Sequence, residues 1–407
     1  MNENVAKIVD FGTDGEPIAK TVEGQVVFLQ PGSPVAIGDS VEYKEVSRSK
    51  NIIHGEIIGV RESGPNRVEI PCEYFSQCGG CPLMANTYEA QLQFKTKKVR
   101  DCFRRIASVD EKTLDEIFLP IVPSPKKFNY RNKVSFATQN GKHGYFRNGS
   151  HDFVEIINCE IAFEETQQLL KDFSCEEGNL VLRKSLSTGE IIVFEDCKGK
   201  TPKILTVNKI LTEEIKIDET NLRFQFGPRD FFQINPFLMP QLYKTALDFA
   251  QIEKTHNVVD LYCGIGTISL FAATKAKSLW GIESFFEAQR NAKNNAKLNN
   301  LGNARFFACD AQKLNSCLPE KNFDTVILDP PRKGCSRRVL GQIVGAKRIV
   351  YVSCDPATLA RDIIFLKEKG FKLKKIQCFD MFPQTIHVET VCLLEKCPRA
   401  NQVRCEC

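Results

Sequence analysis

A chain of 407 residues with 42% apolar and 26% charged side chains has the composition of a globular protein of two or three domains. Its 55 basic and 50 acidic residues leave a net charge of only +5, so total charge argues weakly for nucleic acid and local patches must decide. No run approaches about 18 apolar residues and Met1–Lys7 has no apolar signal core, which excludes a transmembrane helix and a secretory leader and leads us to expect a cytoplasmic monomer with no membrane partner.

Residues 1–65 alternate short β-rich runs with turns. The runs include Pro17-Ile18-Ala19-Lys20, Gln25-Val26-Val27-Phe28-Leu29 and Ser40-Val41-Glu42-Tyr43-Lys44, punctuated by Pro31-Gly32 and Gly38-Asp39. The pattern predicts a small OB-like β-barrel, a shape that commonly binds nucleic acid. A β-module without a ligand is the plainer alternative.

Residues 66–218 form the expected central domain. It opens on Cys72-x5-Cys78-x2-Cys81, with Gly79-Gly80 leaving room for a bulky group. Four-cysteine ligation suits zinc or an iron–sulfur cluster, and Cys159 is the candidate fourth ligand. A helix is expected over about Thr87 to Ile106, with Leu92, Lys95, Lys98, Val99 and Phe103 at helical spacing. Tyr130 to Asn158 reads as β-hairpins, and Asn140-Gly141 signals a type I′ turn. Arg131, Lys133, Lys142, His143, Tyr145, Phe146 and Arg147 mix basic and aromatic types. That mixture suits stacking on unpaired bases with phosphate contacts, and a half-buried hairpin with solvated charges would look similar.

Seventeen cysteines is a high count. Without a secretory leader a disulfide framework is not expected. Cys102, Cys175, Cys197, Cys309 and Cys378 read as small core hydrophobes. Cys397, Cys405 and Cys407 lie on a polar tail, where metal binding is the minor reading.

Residues 219–407 change pattern. Strands at 257–261, 278–283, 304–308, 325–328 and 349–353 alternate with helices at 267–277, 285–299 and 356–369. This is an α/β alternation and predicts a mostly parallel sheet with helices on both faces. Ligands of such sheets bind at the carboxyl ends of the strands.

Those strand ends carry the chemistry. Asp260-Leu261-Tyr262-Cys263-Gly264-Ile265-Gly266 ends a strand and opens a helix, and its glycines let backbone approach a ligand. Ser269 stands where a dinucleotide fingerprint has its third glycine. Glu283 and Asp310 end the next two strands, where an acid can accept hydrogen bonds from a ribose diol or meet an adenine edge. Together they point to an adenosine-bearing cofactor. S-adenosylmethionine fits better than NAD because no pyrophosphate site is evident. Asp329-Pro330-Pro331-Arg332 presents a carboxylate where the chain leaves the sheet, with a turn-capping aspartate as the alternative. Cys354 ends a strand just before a helix, a setting that would depress its pKa and make it a nucleophile; a buried strand-end thiol is the alternative. Met381 to Leu394 reads as a β-type run with His387 and Glu389 on one face. Glu389 there is either a general base or part of a half-exposed edge strand.

Taken in order with Phe231-Phe232-Gln233-Ile234-Asn235, these motifs resemble the RNA uracil-C5 methyltransferases over nearly the whole chain. The resemblance implies a Rossmann-like S-adenosylmethionine methyltransferase domain behind an N-terminal TRAM barrel. It implies a [4Fe–4S] cluster on Cys72, Cys78, Cys81 and Cys159. It implies Cys354 as nucleophile, Glu389 as base, and Gln233, Tyr262, Glu283 and Asp329 at the cofactor. Transfer-RNA members generally lack the barrel and the cysteines, so the resemblance implies 23S ribosomal RNA as partner, with transfer RNA the runner-up. A non-enzymatic iron–sulfur RNA-binding protein is the reading from another class, and Cys354 with Glu389 argues against it, since binding alone needs neither. Two departures stand out. Thr267 replaces an asparagine of several members, and Asp355 replaces an asparagine often found after the nucleophile. The added charge of Asp355 would tend to raise the thiol pKa.

Overall fold

The computed structural model describes residues 4–398, apart from 51, 148–149 and 319–321. Continuous apolar runs build its centre. Asn257–Leu261, Thr325–Leu328 and Arg348–Ser353 are almost wholly buried, as strands covered on both faces must be. Successive side chains point to opposite faces. Val258, Ile327 and Val350 therefore join one core, while Val259, Val326 and Ile349 join the other.

These strands belong to an eight-stranded sheet. Its order is Ala304–Ala308, Ser278–Glu283, Asn257–Leu261, Thr325–Leu328, Arg348–Ser353, Glu389–Lys396, Phe371–Phe379 and Phe118–Val122. The first five are parallel, and Glu389–Lys396 runs antiparallel to both its neighbours. The helices Thr267–Ala273, Phe286–Leu298 and Pro356–Glu368 follow their strands as the sequence predicts.

Alternation makes the N-terminal barrel. Asn4–Phe11, Pro17–Lys20, Val26–Leu29, Ser40–Arg48 and Ile52–Glu62 close on themselves around Ala6, Ile8, Ala19, Val27 and Val41. Closure leaves no open edge. Barrel residue Phe11 packs with Leu83, Phe94 and Ile386, so the barrel reaches the C-terminal part of the chain.

The central region divides its loyalties. Lys133–Gln139 and Lys142–Phe146 form the predicted hairpin inside a six-stranded sheet, with Asn140 and Gly141 at φ of 52° and 73°, as a type I′ turn requires. The helix Tyr88–Arg105 is capped by Thr87 and buries Phe94, Lys95, Val99 and Phe103. It packs on Pro356–Glu368. Phe118–Val122 completes the large sheet as a parallel edge strand. The boundary expected at 219 falls inside the hairpin of Leu211–Ile217 with Thr220–Phe226.

Among the thiols read as core, Cys175 and Cys378 are buried and Cys102 and Cys197 half-buried. Cys309 is a correction: it is disulfide-bonded to Cys317. Ala304–Ala308 is an edge strand, so position 309 is only partly buried and packs against the rim of the core. Cys397 is half-buried, and Cys405 and Cys407 lie outside the described residues. No helix among the described residues is long and apolar enough to cross a membrane.

Candidate active site

One antiparallel register sets the central pair. Ser353 faces Thr390, so one step outward Cys354 lies across from Glu389. Next to them, Leu328 pairs with Tyr351 in parallel, which brings Asp329 to the same edge of the sheet. Leu261 pairs with both Leu328 and Ile282, which adds Tyr262 and Glu283. A cavity of about 1150 Å³ is lined by Gln233, Tyr262, Glu283, Asp329, Cys354 and Glu389. All six candidate residues thus share one space, large enough for a cofactor and a second ligand.

The cofactor loop turns sharply. Tyr262, Gly264 and Gly266 have φ of 63°, 53° and 87°. Glu283 braces this turn, accepting from Gly264 N at 3.1 Å and from Phe285 N at 2.8 Å. Ser284 Oγ also donates to it at 3.3 Å, and since a carboxylate has about four acceptor positions, capacity remains for one ribose hydroxyl. Ser269, at the position of a third glycine, donates to buried Asp260. Burial raises Asp260 to about 7. Asp310 lines the cavity and caps its own turn through Gln312 N at 2.8 Å. Thr267 engages Tyr243.

The electrostatics of Cys354 correct the sequence expectation. Burial pushes the thiol up to about 12, and the charges of Glu389 and Asp329 add to the effect while Arg332 opposes it. The helix Pro356–Glu368 does begin beside it, with Asp355 as its cap. Asp355 turns its carboxylate to Thr358 N at 2.8 Å. Burial also raises Asp329 to about 7. It raises Glu389 well above the carboxylate range, with Asp329 adding to the rise. Two such acids titrate as a pair and favour holding one proton between them. Glu389 Oε2 is buried without a protein partner.

The expected β-run over Met381 to Leu394 starts only at Glu389. Before it lies a loop in which Gln384 has φ of 72°, a strained conformation for a non-glycine residue. The loop is held from outside. Gln384 N donates to Gln91 Oε1 at 2.9 Å, and Gln91 Nε2 donates back to Gln384 Oε1 at 2.9 Å. Leu83 N donates to Gln384 O at 3.0 Å, Tyr130 Oη to Pro383 O at 3.1 Å, and Lys98 Nζ to Ile386 O at 3.1 Å. At its start, fully buried Lys95 pairs with Asp380 and donates to Phe382 O at 2.9 Å. Sequence reasoning missed this bracing, although a lysine on the buried stripe of a helix was the available signal. The loop also sets His387 in the cavity wall, 3.4 Å from Arg332 Nη2. Burial lowers His387 to about 4, so the ring is neutral. A guanidinium can only donate, which leaves the ring proton on Nδ1.

The profile of the tRNA (uracil-5-)-methyltransferases matches residues 170–397. An uncharacterised RNA methyltransferase of Halalkalibacterium halodurans is 34% identical over 446 residues, covering 95% of this chain and 96% of the relative. The chain belongs to the tRNA (uracil-5-)-methyltransferase family. A Clostridium tetani relative, also an uncharacterised RNA methyltransferase, is 33% identical and covers 95% of both chains. The solved Pyrococcus abyssi tRNA (uracil-54, C5)-methyltransferase, in complex with S-adenosyl-L-homocysteine, superposes with a TM-score of 0.73 at 25% identity, over 96% of this chain and 100% of its own. This family member is therefore an S-adenosylmethionine-dependent RNA methyltransferase with that fold.

The four cysteines of this methyltransferase share one neighbourhood. The turn Phe75–Cys78 ends at Gly79, φ 67°, and Gly80 lies against Cys78 Sγ. Burial raises Cys72, Cys78, Cys81 and Cys159, and Cys159 adds to the rise of each of the other three. Arg131, whose buried Nε has no partner, opposes the rise in Cys78, Cys81 and Cys159. Arg131 also hydrogen-bonds Tyr130, so only its Nε is left open toward an anionic group. Yet no group of three or more His, Cys, Asp or Glu among the described residues is disposed to hold a metal ion. The thiols are gathered, not converged.

Proposed function

We propose that the protein methylates C5 of a uridine in RNA, with Cys354 as nucleophile and Glu389 as base. The observation that carries this is the juxtaposition of thiol and carboxyl across one register, in a cavity shared with the cofactor-side residues. S-adenosylmethionine supplies the methyl group, and Gln233, Tyr262, Glu283 and Asp329 are the residues that would hold it. Uracil C5 is a poor nucleophile on its own. The Cys354 thiol gives up its proton to water and its sulfur bonds to C6, which makes an enolate and activates C5. C5 then accepts the methyl group. Glu389 removes the remaining C5 proton, the C6–S bond breaks, and the thiolate leaves. To act as that base Glu389 must first be ionised, its proton passing to Asp329 within the pair; its raised proton affinity then makes the carboxylate a strong base. The target base must leave any stack to reach the cavity.

The four cysteines favour 23S ribosomal RNA as substrate and a [4Fe–4S] cluster on Cys72, Cys78, Cys81 and Cys159, through their resemblance to those of the ribosomal members. Transfer RNA is the second reading, favoured by a tRNA enzyme whose whole chain matches 96% of this one. Mapping 5-methyluridine in ribosomal and transfer RNA, with and without the protein, decides between them. Loss of the mark from neither RNA would overturn the activity itself.

A further inference from the structure

A second cavity, of about 130 Å³, lies behind the same loop that forms the active-site wall. Phe231, Gln233 and Ile234 line the large cavity, and Pro236 and Phe237 line the small one. Asn132 ties the two together, its N donating to Ile234 O at 2.9 Å and its Nδ2 to Gln233 O at 3.1 Å. Tyr130 lines the small cavity and donates to Pro383 O, next to Phe382 of the large one.

The lining is built for a flat, polar, anion-bearing ligand. Phe163 and Phe237 supply ring faces, each with a lysine nearby: Lys126 Nζ is 4.7 Å from the Phe237 centroid and Lys184 Nζ 6.0 Å from that of Phe163. Asn132 is 5% exposed and its Oδ1 is buried without a partner. Such an orphaned acceptor is costly unless a ligand donates to it. Lys126 and Lys184 hold Glu164 at 3.8 Å and Glu165 at 2.5 Å, partly exposed pairs of little worth that a phosphate can displace. The volume admits one planar ring and leaves a sugar and phosphate outside, beside the two lysines.

We propose that this cavity is a second base-binding subsite, which takes an unpaired RNA base near the target uridine by stacking on Phe237, with Asn132 Oδ1 accepting from its amino or imino group and Lys126 and Lys184 on its phosphates. The proposal rests on the RNA methyltransferase reading and adds a site to it. Holding a neighbouring base here would keep the flanking strand splayed while the target uridine occupies the large cavity. Base–aromatic stacking of this kind is sequence-tolerant, and Asn132 would favour bases that present a donor.

The test is a binding cycle with the full chain and an RNA hairpin whose seven-nucleotide loop is centred on uridine. Each loop base is replaced in turn by an abasic residue, and affinity is read by fluorescence anisotropy. Phe237→Leu keeps apolar packing and removes the ring face, so affinity should fall about tenfold, with Phe237→Tyr restoring it. In wild type, one abasic position beside the target should cost a similar factor, and in Phe237→Leu that same position should cost nothing more. Equal losses at every position in both proteins, or wild-type affinity for Phe237→Leu, would overturn the subsite. Failure of wild type to bind any of the hairpins, with cofactor binding intact by calorimetry, would overturn the RNA reading beneath it.

Discussion

A thiol held at about 12 is a reluctant nucleophile until something in the cavity changes its surroundings. Two acids that both resist ionisation make the same point from the other side. The site is set to move protons on arrival of its ligands. Cys354→Ala should abolish methylation and any covalent RNA adduct. Glu389→Gln should still add and accept the methyl group, then stall, so that methylated RNA stays bound to Cys354 through denaturing electrophoresis. Adduct formation by Cys354→Ala would move the nucleophile to another cysteine. At the cofactor end, Glu283→Ala removes a charged acceptor that also braces Gly264 N and Phe285 N. S-adenosylmethionine affinity should fall roughly tenfold to a hundredfold, read by calorimetry. Glu283→Gln, which keeps one acceptor oxygen, should lose less. Asp260 gives a stability signature. Its folded pKa is raised from 3.8 to about 7, so the folded state holds the proton more tightly than the unfolded chain. That contribution is full below about pH 4 and is lost as pH rises through about 7. Thermal melts should show wild type losing stability over this window relative to Asp260→Asn, and parallel curves would contradict the assignment.

At the scale of elements, the active site depends on a strained loop pinned by a distant helix. Removing Lys95 alone leaves Asp380 buried with an unpaired charge, and Asp380 Oδ2 already has no partner. Lys95→Met should therefore cost about 3–5 kcal/mol of unfolding free energy in denaturant titrations. Lys95→Met with Asp380→Leu should recover much of it, because an apolar pair leaves no orphaned charge. These contacts were illegible in the chain. Gln91 and Gln384 are 293 residues apart, and nothing local in Gln384 announces a left-handed backbone. The run Thr385-Ile386-His387-Val388 has strand-like residues, yet the turn at Pro383-Gln384 and its external anchors keep it a loop. The sheet was legible for the opposite reason. Val258-Val259, Thr325–Leu328 and Ile349–Val352 are buried on both faces, and the bounds of such runs are written in their own apolar side chains. That the six candidate residues would meet in one cavity was legible because strand ends in a parallel sheet lie along one edge. The protonation of Cys354 was not, since it depends on which acids the fold brings near.

At the scale of the molecule, barrel, cysteine loop, helix and catalytic loop form one chain of contacts through Phe11, Leu83, Phe94 and Ile386. Whatever stiffens the cysteine loop should stiffen the loop that presents Glu389. If the proposed cluster is right, anaerobically purified protein should be brown and contain roughly four irons per chain. Stoichiometric zinc without iron would falsify that cluster.

The strand Phe118–Val122 carries a consequence for anyone who would divide the protein. It covers the flank of Phe371–Phe379, which otherwise would be the last strand of the sheet. A C-terminal fragment beginning near 219 would keep Cys354, Glu389 and the cofactor loop, yet expose that flank's unpaired amides and carbonyls. Bare flanks of this kind recruit other chains. Such a fragment should self-associate, and co-expression with residues 1–218 should return it to solution, because the missing strand is supplied in trans.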